Sequence, residues 1–221
     1  MNLSDLHRRL LSDVLAIGTP YPLVITGGYA VQAHGLVDRL SQDLDVATEN
    51  PAPMAEITRT LTSGLTDRGW QVREIGVDPL SGRLVVTDPA SGEECEVDIL
   101  KEAFWRPPTP TAYGPVLALD DVIGTKVRAL ADRGAVRDLI DVHAASRHHT
   151  TADLETLGRR HARDEFDLED LQARLAGAEW YEDEEFTAYG LTDADTVTLR
   201  AWAQDWCDDL TRRLHEHPTD D

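Results

Sequence analysis

The order of apolar and polar positions changes character along the chain. Residues 3–17 carry Leu3, Leu6, Leu10 and Val14 at helical spacing, which predicts an amphipathic helix closed by Pro20 and Pro22. Leu23-Val24-Ile25 is a short apolar run between turn residues and reads as a buried strand. Gly27-Gly28 makes the next turn, and Tyr29 to His34 begins a helix. Alternation from Asp43 to Ala47 predicts a second strand. Residues 52–69 return to helical spacing and end near Gly69. Strand-like segments follow at 70–77, 83–88 and 94–100, with turn chemistry at Gly82 and Ser91-Gly92.

The Pro-rich stretch W-R-P-P-T-P-T-A-Y-G-P at 105–115 predicts a linker. Nearly everything beyond it has helical spacing. Helices are predicted over 121–132, with Asp120 as N-cap, then 135–147 after a break at Gly134, then 152–162 and 167–177. A long final helix is predicted over 195–215, with Leu199, Trp202, Trp206, Leu210 and Leu214 on its core face. E-W-Y-E-D-E-E at 179–185 reads as a solvated acidic loop. No internal repeat is visible. The pattern predicts a mixed α/β domain over 1–115 and a helical domain over 116–221.

Composition narrows the class. A chain of 221 residues with 41% apolar content can bury a sizeable core. No apolar run reaches the length of a membrane span. The N-terminus, M-N-L-S-D-L-H-R-R-L-L, lacks the apolar stretch and cleavage site of a signal peptide. Two cysteines, Cys95 and Cys207, imply no disulfide framework, so a reducing cytoplasm is the expectation. The net charge of −20 argues against broad, non-specific nucleic-acid binding. Most of it is C-terminal: residues 164–221 hold 18 acidic and 4 basic groups, whereas 119–163 are nearly neutral with an R-R-H-A-R island at 159–163.

The chemistry concentrates between Thr26 and Thr48. Asp43 and Asp45 are two apart, so on a strand both carboxylates share a face while Leu44 and Val46 point to the core. Paired carboxylates repel unless a cation sits between them, and hard oxygen donors with substrate phosphates suit Mg²⁺. Asp98, between Val97 and Ile99, also projects away from a core face. If its strand neighbours that of Asp43, three carboxylates can hold two Mg²⁺ ions, one activating an acceptor hydroxyl and one neutralising departing pyrophosphate. The bland reading is three solvated strand residues, and D-x-D alone does not exclude it. Gly27 and Gly28 let the backbone approach a phosphate, or simply make a tight strand-to-helix turn. Arg39 and Ser41 can donate to a triphosphate, or lie on the surface.

A second constellation spans 120–142. Lys126 and Lys101 are the chain's two lysines, and Lys126 within an apolar helix can act as a point charge on a phosphate. Asp138 and Asp141 share a helical face, and Arg137 and Asp141 have the spacing of a surface ion pair. His148-His149 and His215/His217 lack ligand spacing around them.

Taken as an ordered set, these residues resemble the AbiEii family of nucleotidyltransferases, the toxin halves of AbiE-type toxin–antitoxin pairs, including the MenT toxins. The resemblance rests on Gly27-Gly28, on Arg39-x-Ser41-x-Asp43-Leu44-Asp45, on Asp98, and on K-V-R-A-L-A-D-R-G-A-V-R-D-L-I-D from Lys126 to Asp141. It covers residues 23–147. It implies a DNA-polymerase-β-like nucleotidyltransferase domain and Mg²⁺-dependent transfer of NMP from an NTP. It further implies an RNA acceptor, a tRNA 3′ end, with arrest of translation, and a cognate antitoxin as partner. The site it implies is Asp43, Asp45 and Asp98 for metal, with Asp98 completing that site or serving as base. Gly27, Gly28, Arg39, Ser41 and Lys126 would hold the nucleotide, and a helical carboxylate, Asp138 or Asp141, would assist from the second domain. Two rival expectations remain: a small-molecule acceptor such as an aminoglycoside, and a non-catalytic nucleotide- or antitoxin-binding module.

Overall fold

Ser4 starts the first helix: its hydroxyl accepts from the backbone N–H of His7 and caps α1, Asp5–Ile17. The computed structural model describes residues 1–39 and 41–216. It divides into two compact units, Met1–Val122 and Ile123–Asp221.

In the first unit, β1 (Val24–Ile25), α2 (Gly27–Ala33), β2 (Leu44–Thr48) and α3 (Met54–Asp67) are followed by β3 (Gln71–Val77), β4 (Ser81–Thr87) and β5 (Glu94–Lys101). The strands form a mixed sheet in the order β3-β4-β5-β2-β1, continued by β7 (Gly114–Val116) and β6 (Thr109–Thr111). β2 and β5 are parallel, whereas β4–β5, β3–β4 and β1–β2 are antiparallel. The stretch expected as a linker therefore carries a hairpin at the sheet edge. Pro110 is compatible with that position, because the edge strand β6 tolerates a missing donor on its open side; Pro115 is its register partner on β7.

Register fixes which residues share a face. Leu44, Val97 and Leu84 line up across β2, β5 and β4, and so do Asp45, Asp98 and Arg83. The first row is buried, as are Val46, Cys95 and Ile99. Helix α3 lies over the sheet, with Met54, Ile57, Leu61 and Leu65 buried. Each such side chain contributes about 1.5–3 kcal/mol when fully removed from water. Gly82 makes that approach possible: a Cβ there would overlap the Thr58 side chain of α3.

The second unit is helical. Its α4 (Leu119–Arg133) starts within the first unit, and α5 (Val136–Ala145), α6 (Thr151–His161), α7 (Leu168–Ala176), α8 (Asp183–Thr187) and α9 (Asp193–Glu216) follow. Because α4 begins at Leu119, Asp120 lies in its first turn instead of capping it. Gly124 and Gly158 let α4 and α6 pack closely: a Cβ on Gly124 would meet His161 and the Leu157 backbone, and one on Gly158 would meet Val127 and Phe166. The acidic stretch at 179–185 is solvated as expected, but it is not a plain loop. It contains the end of a 3₁₀ turn, Gly177–Trp180, and the start of α8, whose Phe186 is fully buried. The α9 stripe is core at Leu199, Trp206 and Leu210, while Trp202 is half-buried against His143. Buried Glu155 on α6 accepts from Trp206 Nε1 at 3.0 Å and pairs with Arg213.

Candidate active site

The site begins at a backbone constraint. Gly27 opens α2 with φ +59°, a left-handed conformation that L side chains rarely adopt. A Cβ on Gly27 would also overlap the Asp45 carboxylate. Thr26 donates its backbone N–H to the Asp45 carbonyl at 2.9 Å, which anchors the turn to β2. Asp45 and the glycine turn are thus packed against each other.

Ser41 and Arg39 complete the surroundings of the turn. A Cβ at Gly28 would stand 2.5 Å from Ser41 Oγ and 3.6 Å from a terminal guanidinium nitrogen of Arg39. Ser41 Oγ donates to the Asp43 carbonyl at 3.2 Å. Arg39 is buried, which is unusual for a residue assigned only to the surface. The first unit therefore gathers Gly27, Gly28, Arg39, Ser41 and Asp45 at one place, with Asp43 entering β2 beside them.

Asp98 sits across the β2–β5 ladder from Asp45, but its carboxylate is engaged elsewhere. Arg83 Nε and Nη2 donate to its two oxygens, each at 2.7 Å. Arg83 Nη1 also pairs with Glu96 at 3.0 Å. The hydrogen bond to Asp98 holds the Arg83 guanidinium above its ordinary pKa. Among the described residues no group of three or more His, Cys, Asp or Glu side chains is gathered closely enough to hold a metal ion.

Behind this face lie groups that the sequence did not single out. His7 Nδ1 meets the Tyr29 hydroxyl, and both side chains are buried. Burial lowers the His7 pKa, against the opposing pull of Asp43 and Glu93. Burial pushes the Tyr29 phenol up to about 12, helped by Cys95 and Asp43. Burial likewise pushes the Cys95 thiol up to about 12, so this cysteine stays a thiol beside the site. Tyr29 and Gln32 lie one turn into the helix that the glycine pair opens, which was the available signal. Arg83 carried none, since only strand register brings it to Asp98.

In the second unit the Lys126-to-Asp141 stretch becomes a buried charge cluster. Lys126 Nζ lies 2.9 Å from Asp141 and 3.6 Å from Asp138. Both carboxylates have no exposed side-chain surface. Arg133 holds Asp138 in a fork, at 2.7 and 3.1 Å. Burial raises the Asp138 pKa, but Arg133, Lys126 and Arg137 together outweigh it, so the net shift is downward. Asp141 is thus buried on Lys126 instead of lying on the surface. Of the arginines in this half, Arg128 donates to the His161 carbonyl at 2.8 Å and Arg159 stacks over Phe166 at 5.7 Å. His217 lies outside the described residues.

In this protein a glycine turn is packed on a strand carboxylate within a mixed sheet. The solved structures agree on the fold. JHP933 from Helicobacter pylori matches at 19% identity and TM-score 0.55, covering 97% of each chain. A putative nucleotidyltransferase from H. pylori matches at 17% identity and TM-score 0.55, covering 95% of this chain and 98% of that one. MenT4, a nucleotidyltransferase toxin from Mycobacterium tuberculosis, matches at 16% identity and TM-score 0.52, covering 93% and 91%. No curated protein matches the chain. The family model described as nucleotidyl transferase AbiEii toxin of a type IV toxin–antitoxin system matches residues 9–218, and the chain belongs to that family. Family membership and fold make it a nucleotidyltransferase, which sets aside the non-catalytic reading. No helix among the described residues is long and apolar enough to cross a membrane.

Proposed function

We propose that this protein transfers a nucleoside monophosphate from an NTP to an RNA acceptor, a tRNA 3′ end, in the cytoplasm, and thereby arrests translation. The observation that carries the reading is the contact of Gly27 with the Asp45 carboxylate, beneath Ser41 and Arg39. The turn has no side chain of its own to crowd a phosphate, and the carboxylates beside it suit a cation.

The donor set fits Mg²⁺. Asp43 and Asp45 are hard oxygen donors at the edge of a site where substrate phosphates would supply further oxygens. Asp98 can join them only in competition with Arg83, which donates to both its oxygens. When bound, Mg²⁺ would neutralise charge on the triphosphate and favour ionisation of the acceptor hydroxyl. The remaining work falls to the chain. The glycine turn lets the triphosphate approach the backbone. Arg39 and Ser41 donate to its oxygens, the arginine in forked geometry. Asp98 is the candidate acceptor for the proton of the attacking hydroxyl. Lys126 is the candidate point charge on the phosphates, held by Asp138 and Asp141. A cognate antitoxin is the expected protein partner.

A small-molecule acceptor is the second reading, favoured by one feature of the helical unit. A cleft of about 170 Å³ there is lined by Asp132, Asp164, Glu165, Asp167 and Asp170 together with Arg163 and Phe166. Such a lining suits a cationic molecule better than a phosphate backbone.

Incubation with each α-labelled NTP and Mg²⁺ separates the readings, with total cellular RNA in one arm and an aminoglycoside in the other. The RNA reading expects label in a band of tRNA size, lost with EDTA and in Asp45→Asn. Label on the aminoglycoside alone would replace it with the second reading. No transfer to either would remove both.

A further inference from the structure

Two side chains of α2 hold the segment that carries Arg39 and Ser41. Tyr29 donates its hydroxyl proton to the Ser41 carbonyl at 3.3 Å. Gln32 donates from Nε2 to the Arg39 carbonyl. The two are three residues apart, so they share one helix face. Each is held from behind by the N-terminal segment. The Asn2 backbone N–H donates to Gln32 Oε1 at 2.8 Å. That occupies the amide oxygen and turns the amide nitrogen toward Arg39. The His7 ring meets Tyr29 edge-on, with centroids 5.7 Å apart at 90°.

Tyr29 has one hydroxyl proton and two neighbours that could take it. The proton reaches the Ser41 carbonyl only if His7 presents an N–H to the phenol oxygen. His7, Tyr29 and Gln32 are all buried, so an unmade bond among them would be costly. The high phenol pKa keeps Tyr29 a donor throughout the neutral range.

We propose that Tyr29 and Gln32 are positioning residues of the transfer site, a two-point clamp on the carbonyls of Ser41 and Arg39 that is oriented by His7 and the Asn2 amide. The clamp sets where the Arg39 guanidinium, the Ser41 hydroxyl and Asp43 stand relative to the glycine turn. Its consequence for activity rests on the nucleotidyl-transfer reading above. A displacement of about 1 Å at such groups can cost about 100-fold in rate, which is the scale on which the clamp would act.

The test uses the full chain. Tyr29→Phe removes one hydroxyl and keeps the ring. His7→Leu removes the N–H, and His7→Asn restores a donor near the Nδ1 position. Three quantities are measured: hydrogen exchange of a peptide covering 39–45, kcat and KM for NTP, and the thermal midpoint. Tyr29→Phe and His7→Leu should speed exchange in that peptide, with exchange in β5 unchanged. They should lower kcat about 10- to 100-fold while KM moves less than about threefold. His7→Asn should recover most of both losses. Unchanged exchange in Tyr29→Phe would overturn the clamp. Faster exchange with wild-type kcat would overturn its positioning role, as would equal losses in His7→Leu and His7→Asn. If the wild type transfers no nucleotide at all, the functional reading fails, and the exchange comparison still decides the clamp.

Discussion

Asp45 and Asp98 are register partners on neighbouring parallel strands, yet Asp45 packs against the glycine turn while Asp98 gives both its oxygens to Arg83. The row Asp45, Asp98, Arg83 therefore places two carboxylates beside one guanidinium across three strands. Two carboxylates side by side would repel; the guanidinium offsets part of that repulsion. Any cation that draws Asp98 toward Asp45 must compete with Arg83.

Asp45→Asn should abolish transfer and leave the fold intact. The substitution keeps the volume packed against Gly27 and removes the charge. Losing charge stabilisation of the attacking and leaving oxygens should cost about 10³-fold or more in rate. Single-turnover labelling with matched circular dichroism checks it. Activity above a tenth of wild type would take Asp45 out of the chemistry.

Arg83→Gln should tighten divalent-cation binding. It frees Asp98 and leaves Asp98, Glu96 and Asp43 without the guanidinium that neutralises them. Mn²⁺ titration followed by electron paramagnetic resonance, without nucleotide, reads this independently of turnover. Affinity should rise several-fold, about 1 kcal/mol, the scale of a partly exposed pair. An unchanged or weaker affinity would show that Asp98 has no part in cation binding.

Gly27→Ala should cost both stability and activity. The left-handed φ alone disfavours an L residue by about 1–2 kcal/mol. The added methyl would also push the Asp45 carboxylate aside. Gly35→Ala is the control, since it has φ +70° but nothing within 4 Å of the added carbon. Both variants should lose stability in urea, and only Gly27→Ala should lose transfer.

Lys126→Ala should destabilise the protein as well as impair nucleotide use. It strips the cation from two carboxylates that have no exposed side-chain surface. Removing one partner of a buried pair costs about 3–5 kcal/mol. Chemical denaturation measures the loss, and calorimetric NTP titration separates it from binding. Wild-type stability with lost NTP affinity would assign this lysine to nucleotide alone.

Acid should loosen the helical unit through Asp138. Its folded pKa lies below the ordinary value of 3.8, so its contribution is present above that value and is lost as pH falls through the folded one. Arg133→Gln removes the strongest attraction opposing burial, the fork on Asp138, and the loss should then begin at higher pH. Helical circular dichroism across pH 2–6 tests the sign, roughly spanning the carboxylate range. A transition that does not move would exclude the Arg133–Asp138 fork as its source.

The linear chain determined the order of elements and the residue types of the site. Period-2 and period-3.6 patterns located the strands and helices because burial of one face imposes those periods directly on the sequence. Gly27-Gly28, Asp43 and Asp45 were legible because their roles depend on neighbours within about twenty positions. The hairpin at 109–116 was not, since three-residue edge strands leave almost no periodic trace and their prolines read as breakers. The tertiary structure alone decided the cross-strand pairings: Asp98 with Arg83, and His7 with Tyr29. It also decided that Asp138 and Asp141 are buried on Lys126 and Arg133 instead of solvated. Those facts depend on register and helix packing, where a shift of one residue would exchange one face for the other. No local pattern of charge encodes which distant side chain answers it.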